Sequence, residues 1–204
     1  MELRERKKAL LRDTIVRNAI ELFEQRGFDN VSVEEIVQAS VCSRSTFHRY
    51  FGTKEDLVFP TANDRLAVLA ATLESTDPGA DPWAAARAAV SIGLCGFVDD
   101  LEPDVRAACI KLWVSESMPR RRYLEIVLEW ETVLSRFFAG RMGVEPARSL
   151  ECQLLASSVS SALRAALGTA METGGQVDEL ISRAFDLIEA GLSAYLTDLR
   201  AATS

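Results

Sequence analysis

The segment from residue 32 to residue 51 constrains the fold more than any other part of the chain, because it sets two helix starts close together. Ser32 is followed by Val33-Glu34-Glu35. A serine with a glutamate three residues on forms a capping box, in which each side chain takes up the other's free backbone N–H. It predicts a short helix running to about Ala39. Ser43 is a second N-cap, opening a helix from Arg44 to Phe51 that stops at Gly52. Only a tight turn, Ser40 to Cys42, separates the two. Val33, Ile36, Val37, Cys42, Phe47 and Phe51 then fall where they can close one small core with Ala19, Leu22 and Phe23. That is helix-turn-helix spacing.

The rest of the chain is helical in period. Leu11, Ile15, Ala19, Leu22 and Phe23 recur at three- and four-residue steps and make an amphipathic helix ending at Gly27. Thr53, with Asp56 three residues later, caps a helix from Lys54; Pro60 lies inside it and is expected to kink or interrupt it. Leu66, Leu69, Ala70 and Leu73 restore the period beyond. Further helices read as 82–98, 104–116, 119–139, 146–171 and 177–199, parted by proline- and glycine-bearing breaks. No alternating strand pattern, internal repeat or low-complexity tract is present. The expected fold is all-α with about nine helices. A three-helix head, residues 1–57, precedes a larger helical body, residues 58–204.

With 204 residues, 48% apolar and 26% charged, the composition is that of an ordinary globular protein with length enough to bury a core. No run approaches 18 apolar residues, so no membrane span is expected, and the N-terminus lacks the apolar stretch of a secretory signal. The single histidine, His48, excludes multi-histidine metal sites. Cys42, Cys95, Cys109 and Cys152 show no metal or redox spacing and read as reduced thiols in a cytoplasmic protein. No cofactor motif, phosphate loop or glycine elbow is legible, which argues against an enzyme.

The net charge of -7 argues at first against nucleic acid, yet it is unevenly placed. Residues 1–57 hold ten basic and ten acidic side chains, so the whole excess lies in residues 58–204, with 13 basic and 20 acidic. Residues 40–54 contain Arg44, Arg49 and Lys54 and no acid. In a helix-turn-helix the second helix enters the major groove while the first crosses the backbone. Arg44, Ser45, Thr46, His48 and Arg49 suit such a groove face, since Arg reads guanine bidentately and hydroxyls suit phosphate oxygens. The helix starts at Ser32 and Ser43 offer free N–H groups to phosphates, and Lys54 stands where it can clamp the same backbone. Arg4, Arg6, Lys7, Lys8 and Arg12 form a basic arm that either tracks phosphates or stays solvated.

Thr14-Ile15, Ala19, Leu22-Phe23, Gly27-Phe28, Val31-Ser32-Val33, Ile36, Ser43, Thr46-Phe47, Arg49-Tyr50-Phe51 and Lys54-Glu55-Asp56-Leu57 resemble, in order and spacing, the TetR family of transcriptional regulators. The resemblance implies a ligand-responsive regulator: a homodimer on a palindromic double-stranded DNA operator, usually a repressor, released when a small molecule bound in the C-terminal body shifts the two heads. Carried over by position, it implies groove contacts from Arg44, Ser45, Thr46 and His48, and phosphate contacts from Ser32, Tyr50 and Lys54. Arg49 either faces DNA or packs against the flanking helix.

The chain departs from the family at three points. Val41 stands where the turn normally carries glycine. A β-branched residue resists positive φ, so either the turn is rearranged or Val41 stores strain. Cys42 replaces a small aliphatic residue, and Pro60 is not a common feature.

For the body the resemblance implies two partner surfaces. Leu154, Ser158, Ser161, Ala162, Ile181, Phe185, Ile188 and Leu192 are the dimer-interface candidates. Trp83, Phe97, Trp113, Met118, Trp130 and Phe137 are the ligand-pocket candidates. From the residues alone, both sets are equally well explained as internal core. A looser similarity, over residues 49–59, 102–106 and 162–167, to TetR members that take acyl-CoA-like ligands implies a small hydrophobic or acyl-type effector. Arg120-Arg121-Arg122 opposes a helix dipole; it either holds an anionic ligand group or pairs with Glu116 and Glu125. Two other readings compete: an all-α enzyme with a helix-turn-helix-like pair, and an interaction module that does not bind DNA.

Overall fold

A computed structural model of the chain describes residues 3–100 and 102–191. These residues form nine α-helices and no strand: α1 (Leu3–Arg26), α2 (Val33–Ala39), α3 (Arg44–Tyr50), α4 (Ala62–Glu74), α5 (Pro82–Asp100), α6 (Pro103–Ser115), α7 (Ser117–Met142), α8 (Leu150–Thr173) and α9 (Val177–Glu189). Single 3-10 turns span Phe28–Asn30, Glu55–Leu57 and Pro146–Arg148. Among the described residues no helix is long and apolar enough to cross a membrane.

The helix ends follow from side chains. α1 stops where Gly27 takes a φ of 80°, and α8 stops at Gly174 in the left-handed region, at φ 68°. The capping box at the start of α2 is complete: the Glu35 N–H donates to Ser32 Oγ at 3.3 Å and the Ser32 N–H to Glu35 Oε2 at 2.8 Å. At the start of α3 the Thr46 N–H donates to Ser43 Oγ at 3.0 Å.

Several boundaries differ from those read in the sequence. No α-helix opens at Lys54; one 3-10 turn covers Glu55–Leu57 and α4 begins at Ala62, just past Pro60. Proline lacks the N–H and clashes with the preceding turn, so the chain breaks here rather than bending. The helix expected from residue 146 begins at Leu150, where the Ser149 hydroxyl accepts the Cys152 N–H at 3.2 Å. α1 starts at Leu3, so the basic arm is helical. Within it the Arg12 guanidinium donates to the Pro60 carbonyl, a fold contact rather than a free phosphate ligand. The last helix, expected to residue 199, is described to Glu189; Leu192 and Tyr195 lie outside the described residues.

The chain divides into two compact units. The first holds Met1–Ala62 with Phe97–Ile126, and the second Asn63–Gly96 with Val127–Ser204. Compactness therefore groups α6 and the start of α7 with the head, whereas the division read along the sequence falls after residue 57.

In the first unit α1 packs against α2 and α6. Ile15, Ala19, Phe23, Ile36, Phe47 and Phe51 are buried, as the spacing requires. Val33, Val37, Cys42 and Leu22 are only half-buried, while Phe28, Leu57 and Val58 complete the core. Burying each large apolar side chain contributes about 1.5–3 kcal/mol. Trp113 of α6 lies between Phe59 and Tyr123, stacked at 4.9 and 5.9 Å, and its Nε1–H donates to the Val58 carbonyl at 3.1 Å. Burial pushes the Cys109 thiol up to about 12, leaving it neutral and inert.

In the second unit α8 packs along α9. Arg87 of α5 ties itself to α9, with Nη1 2.6 Å from Asp186 Oδ1 and Nη2 donating to Ser182 Oγ at 2.6 Å. Gly93 admits the Trp130 ring, because a Cβ there would sit 2.8 Å from Trp130 Cη2.

Candidate nucleic-acid interface

The orientation of α3 is set by one side. Phe47 is buried beneath it, with its ring against Phe51 at 5.6 Å. Arg44, Ser45, His48 and Arg49 are exposed. At 100° per residue these four share an arc of roughly 140° turned away from Phe47. The face is thus two arginines, one serine and one histidine, with no carboxylate of its own.

The side chains on and around it are partly organised already. The Ser45 and Thr46 hydroxyls are both hydrogen-bonded to Ser43 Oγ, at 2.9 and 2.8 Å. The Arg49 guanidinium lies 5.1 Å from the centre of the half-buried Tyr50 ring, which holds it on the surface rather than against another helix. His48 is exposed and meets the Phe47 ring edge-on at 5.2 Å. Arg44 is ion-paired with Glu34 of α2, N to O 2.7 Å. Ser32 is exposed, and its hydroxyl also donates to Glu35 Oε2 at 2.8 Å. Those Ser32 contacts, with Arg26 at 2.7 Å, hold the Glu35 carboxyl below its ordinary value.

Lys54 differs from its expected role. Its Nζ donates to the carbonyls of Phe28 and Val31, at 2.7 and 3.0 Å, and lies 4.3 Å from the centre of the Phe28 ring. Two of its three N–H donors therefore hold the loop before α2, a structural task that the sequence position does not announce.

The turn between α2 and α3 is not rearranged. The Val41 N–H donates to the Gln38 carbonyl at 3.2 Å and the Cys42 N–H to the Val37 carbonyl at 3.1 Å, the paired bonds of a Schellman helix end. Val41 occupies the left-handed position at φ 49°, with its side chain 93% exposed. It therefore stores strain. Asn18 of α1, which sequence reasoning missed, donates to the Ala39 carbonyl at 3.1 Å and to Ser40 Oγ at 3.3 Å, anchoring this turn. Below α3, Asp56 Oδ2 accepts the Gly52 and Thr53 N–H groups at 3.1 and 2.9 Å, and Asp56 Oδ1 faces Arg122 Nε at 3.6 Å. Arg122 and Arg121 also pair with Glu125, so those two arginines of the basic run serve ion pairs.

The two sets expected in the body are only partly brought together. Among the dimer candidates Leu154 is 57% exposed and Ser161 is exposed, with Ser158 and Ile188 half-buried. Ala162, Ile181 and Phe185 are 2%, 4% and 0% exposed, packed inside their own unit, and cannot form a surface. Phe185 meets Trp83 edge-on at 5.7 Å. Among the pocket candidates Trp83, Trp130 and Phe137 lie in the second unit, while Trp113 and Met118 lie in the first. Trp113 has a ring on each face and its N–H on a carbonyl. Met118 is exposed, and the side chain of Phe97 lies outside the described residues. Among the described residues no group of three His, Cys, Asp or Glu side chains is placed to hold a metal ion.

An all-α chain whose capped helix pair presents one basic, hydroxyl-bearing face defines a helix-turn-helix protein of the kind that docks a helix in the major groove. The chain belongs to the TetR family of bacterial regulatory proteins: that family's profile matches residues 15–59, and the profile of the MftR C-terminal domain matches residues 80–193. It is 29% identical over 147 residues to TcmR, an HTH-type transcriptional regulator of Streptomyces glaucescens, covering 70% of this chain and 65% of TcmR, just under two thirds of that protein's length. It is 26% identical over 188 residues to MftR of Mycobacterium tuberculosis, covering 85% of this chain and 87% of that one. The fold is shared with Thermus thermophilus FadR, solved with lauroyl-CoA, at TM-score 0.55 and 21% identity, covering 86% of this chain and 92% of that one.

Proposed function

We propose that this chain is a ligand-responsive transcriptional repressor, acting in the cytoplasm as a homodimer on a palindromic operator. The observation that carries the reading is the exposed face of α3, where Arg44, Ser45, His48 and Arg49 stand together opposite the buried Phe47. Arg44 is the guanine reader, with Ser45, Thr46 and His48 beside it in the groove; Tyr50, Ser32 and the helix starts hold phosphates. Lys54 contributes chiefly by holding the loop that carries Ser32.

The homodimer rests on α8. Leu150 and Leu154 are exposed at its start, and Ser161 and Ala165 are exposed further along the same side. Large apolar side chains followed by small ones suit close helix approach between two copies. The effector is a small hydrophobic molecule of the acyl type, a reading supported by the fold shared with the lauroyl-CoA-bound FadR.

Selection from a genomic DNA library with the purified protein tests the reading. A recovered palindrome, bound with an affinity that falls steeply with salt, is the expected result. Absence of any enriched site at low salt overturns it. Lauroyl-CoA and the free fatty acid, each added to the protein–operator complex, are expected to raise the protein's melting temperature and release DNA.

A further inference from the structure

Glu34 sits in the first turn of α2, two residues past the N-cap, and Arg44 is the first residue of α3. They come from the two helices of the DNA-reading pair, and their charged ends meet at 2.7 Å. The pair is open to water, with the side chains 67% and 57% exposed for Arg44 and Glu34. Such a pair adds little to stability. Nor is Glu34 needed to start its helix, since Ser32 and Glu35 complete the capping box without it.

We propose that Glu34 is a positioning residue for base recognition, holding Arg44 in the orientation that reads guanine. The proposal rests on the reading of α3 as the groove helix. A guanidinium carries five N–H donors in a planar fork. The Glu34 carboxylate meets the fork at Nη2, and a guanidinium held at one edge keeps another edge for guanine O6 and N7. An arginine held this way loses less rotamer freedom on binding. A free arginine at the same place, with its long flexible stem, turns to the nearest phosphate as easily as to a base.

The negative charge of Glu34 has a second effect. Standing beside the acid-free basic stretch of residues 40–54, it weakens attachment to any duplex through phosphates alone. Glu34 thus raises selectivity from both sides: Arg44 is set for a base, and the alternative of binding anywhere is made weaker.

The test compares wild type, Glu34→Gln, Arg44→Ala and the double variant, as full-length dimers. The probes are the selected operator, a set of operators altered one base pair at a time, and a scrambled duplex. In Arg44→Ala, discrimination is expected to vanish at one base pair of each half-site. In Glu34→Gln, discrimination at that same base pair is expected to fall about two- to tenfold, while the other positions keep theirs and the scrambled duplex is bound more tightly. In the Arg44→Ala background, Glu34→Gln is expected to change base preference no further. Unchanged discrimination in Glu34→Gln overturns the proposal, as does an equal loss at every base pair in both backgrounds, which is the signature of a helix-start effect. If wild type enriches no operator at all, the groove-helix reading fails and this proposal fails with it.

Discussion

Replacing Val41 with glycine is expected to make the head more stable although it removes a side chain. A left-handed conformation costs an L-residue about 1–2 kcal/mol, since Cβ crowds the following carbonyl. Val41 holds that conformation, at φ 49°, because the two Schellman bonds to Gln38 and Val37 require it. At 93% exposure its isopropyl group returns almost no packing energy. Glycine removes the crowding but loosens the unfolded chain, which takes back roughly 0.4–1 kcal/mol. The net gain is roughly 0.5–1 kcal/mol. Urea unfolding followed by far-ultraviolet circular dichroism reads this as a rise in midpoint with an unchanged slope. Val41→Ala keeps a Cβ at the same φ and is expected to gain less. A Val41→Gly variant no more stable than wild type refutes the argument from strain.

Other perturbations follow from the same geometry. Lys54→Met leaves the Phe28 and Val31 carbonyls without their donor and is expected to lower stability by about 1–3 kcal/mol, read in the same urea assay before any DNA is added. Gly93→Ala places a methyl against Trp130 and is expected to cost about 1–3 kcal/mol through overpacking, with a change in Trp130 fluorescence. Glu35 has a lowered pKa in the folded state, chiefly through its bonds from Ser32, so its stabilisation is present above the ordinary value of 4.5 and is lost as pH falls through the lowered value. Glu35→Gln is therefore expected to be less stable than wild type at pH 7, with the gap closing on acidification; a gap that persists at low pH excludes the carboxylate as its source.

Much of the head was legible because its signals are local. Ser32, Glu35 and Ser43 specify helix starts through bonds to backbone three residues away, and Gly27 specifies an end through its own φ. The glycine missing at Val41 left two outcomes open, a rearranged turn or a strained one, and the φ of 49° decides for strain. What escaped depends on partners distant in sequence. Lys54 has the charge of a phosphate ligand, and nothing local reveals that two carbonyls at Phe28 and Val31 engage it. Pro60 marked a disturbance without saying whether the helix would bend or break. Ala162, Ile181 and Phe185 lie on apolar stripes, and periodicity tells that such a stripe is covered, not whether its own chain or a second copy covers it. Trp113 belongs with the head through Phe59 and Val58, which no pattern around residue 113 indicates.

The central claim is that the exposed face of α3 reads DNA. Amide chemical-shift mapping of the labelled protein, titrated with the selected operator duplex, tests it most directly. The account predicts that the largest changes fall on Ser32 and on residues 43–50, with the buried amides of the second unit little moved. Changes centred outside α2 and α3, or none at saturating duplex, contradict it.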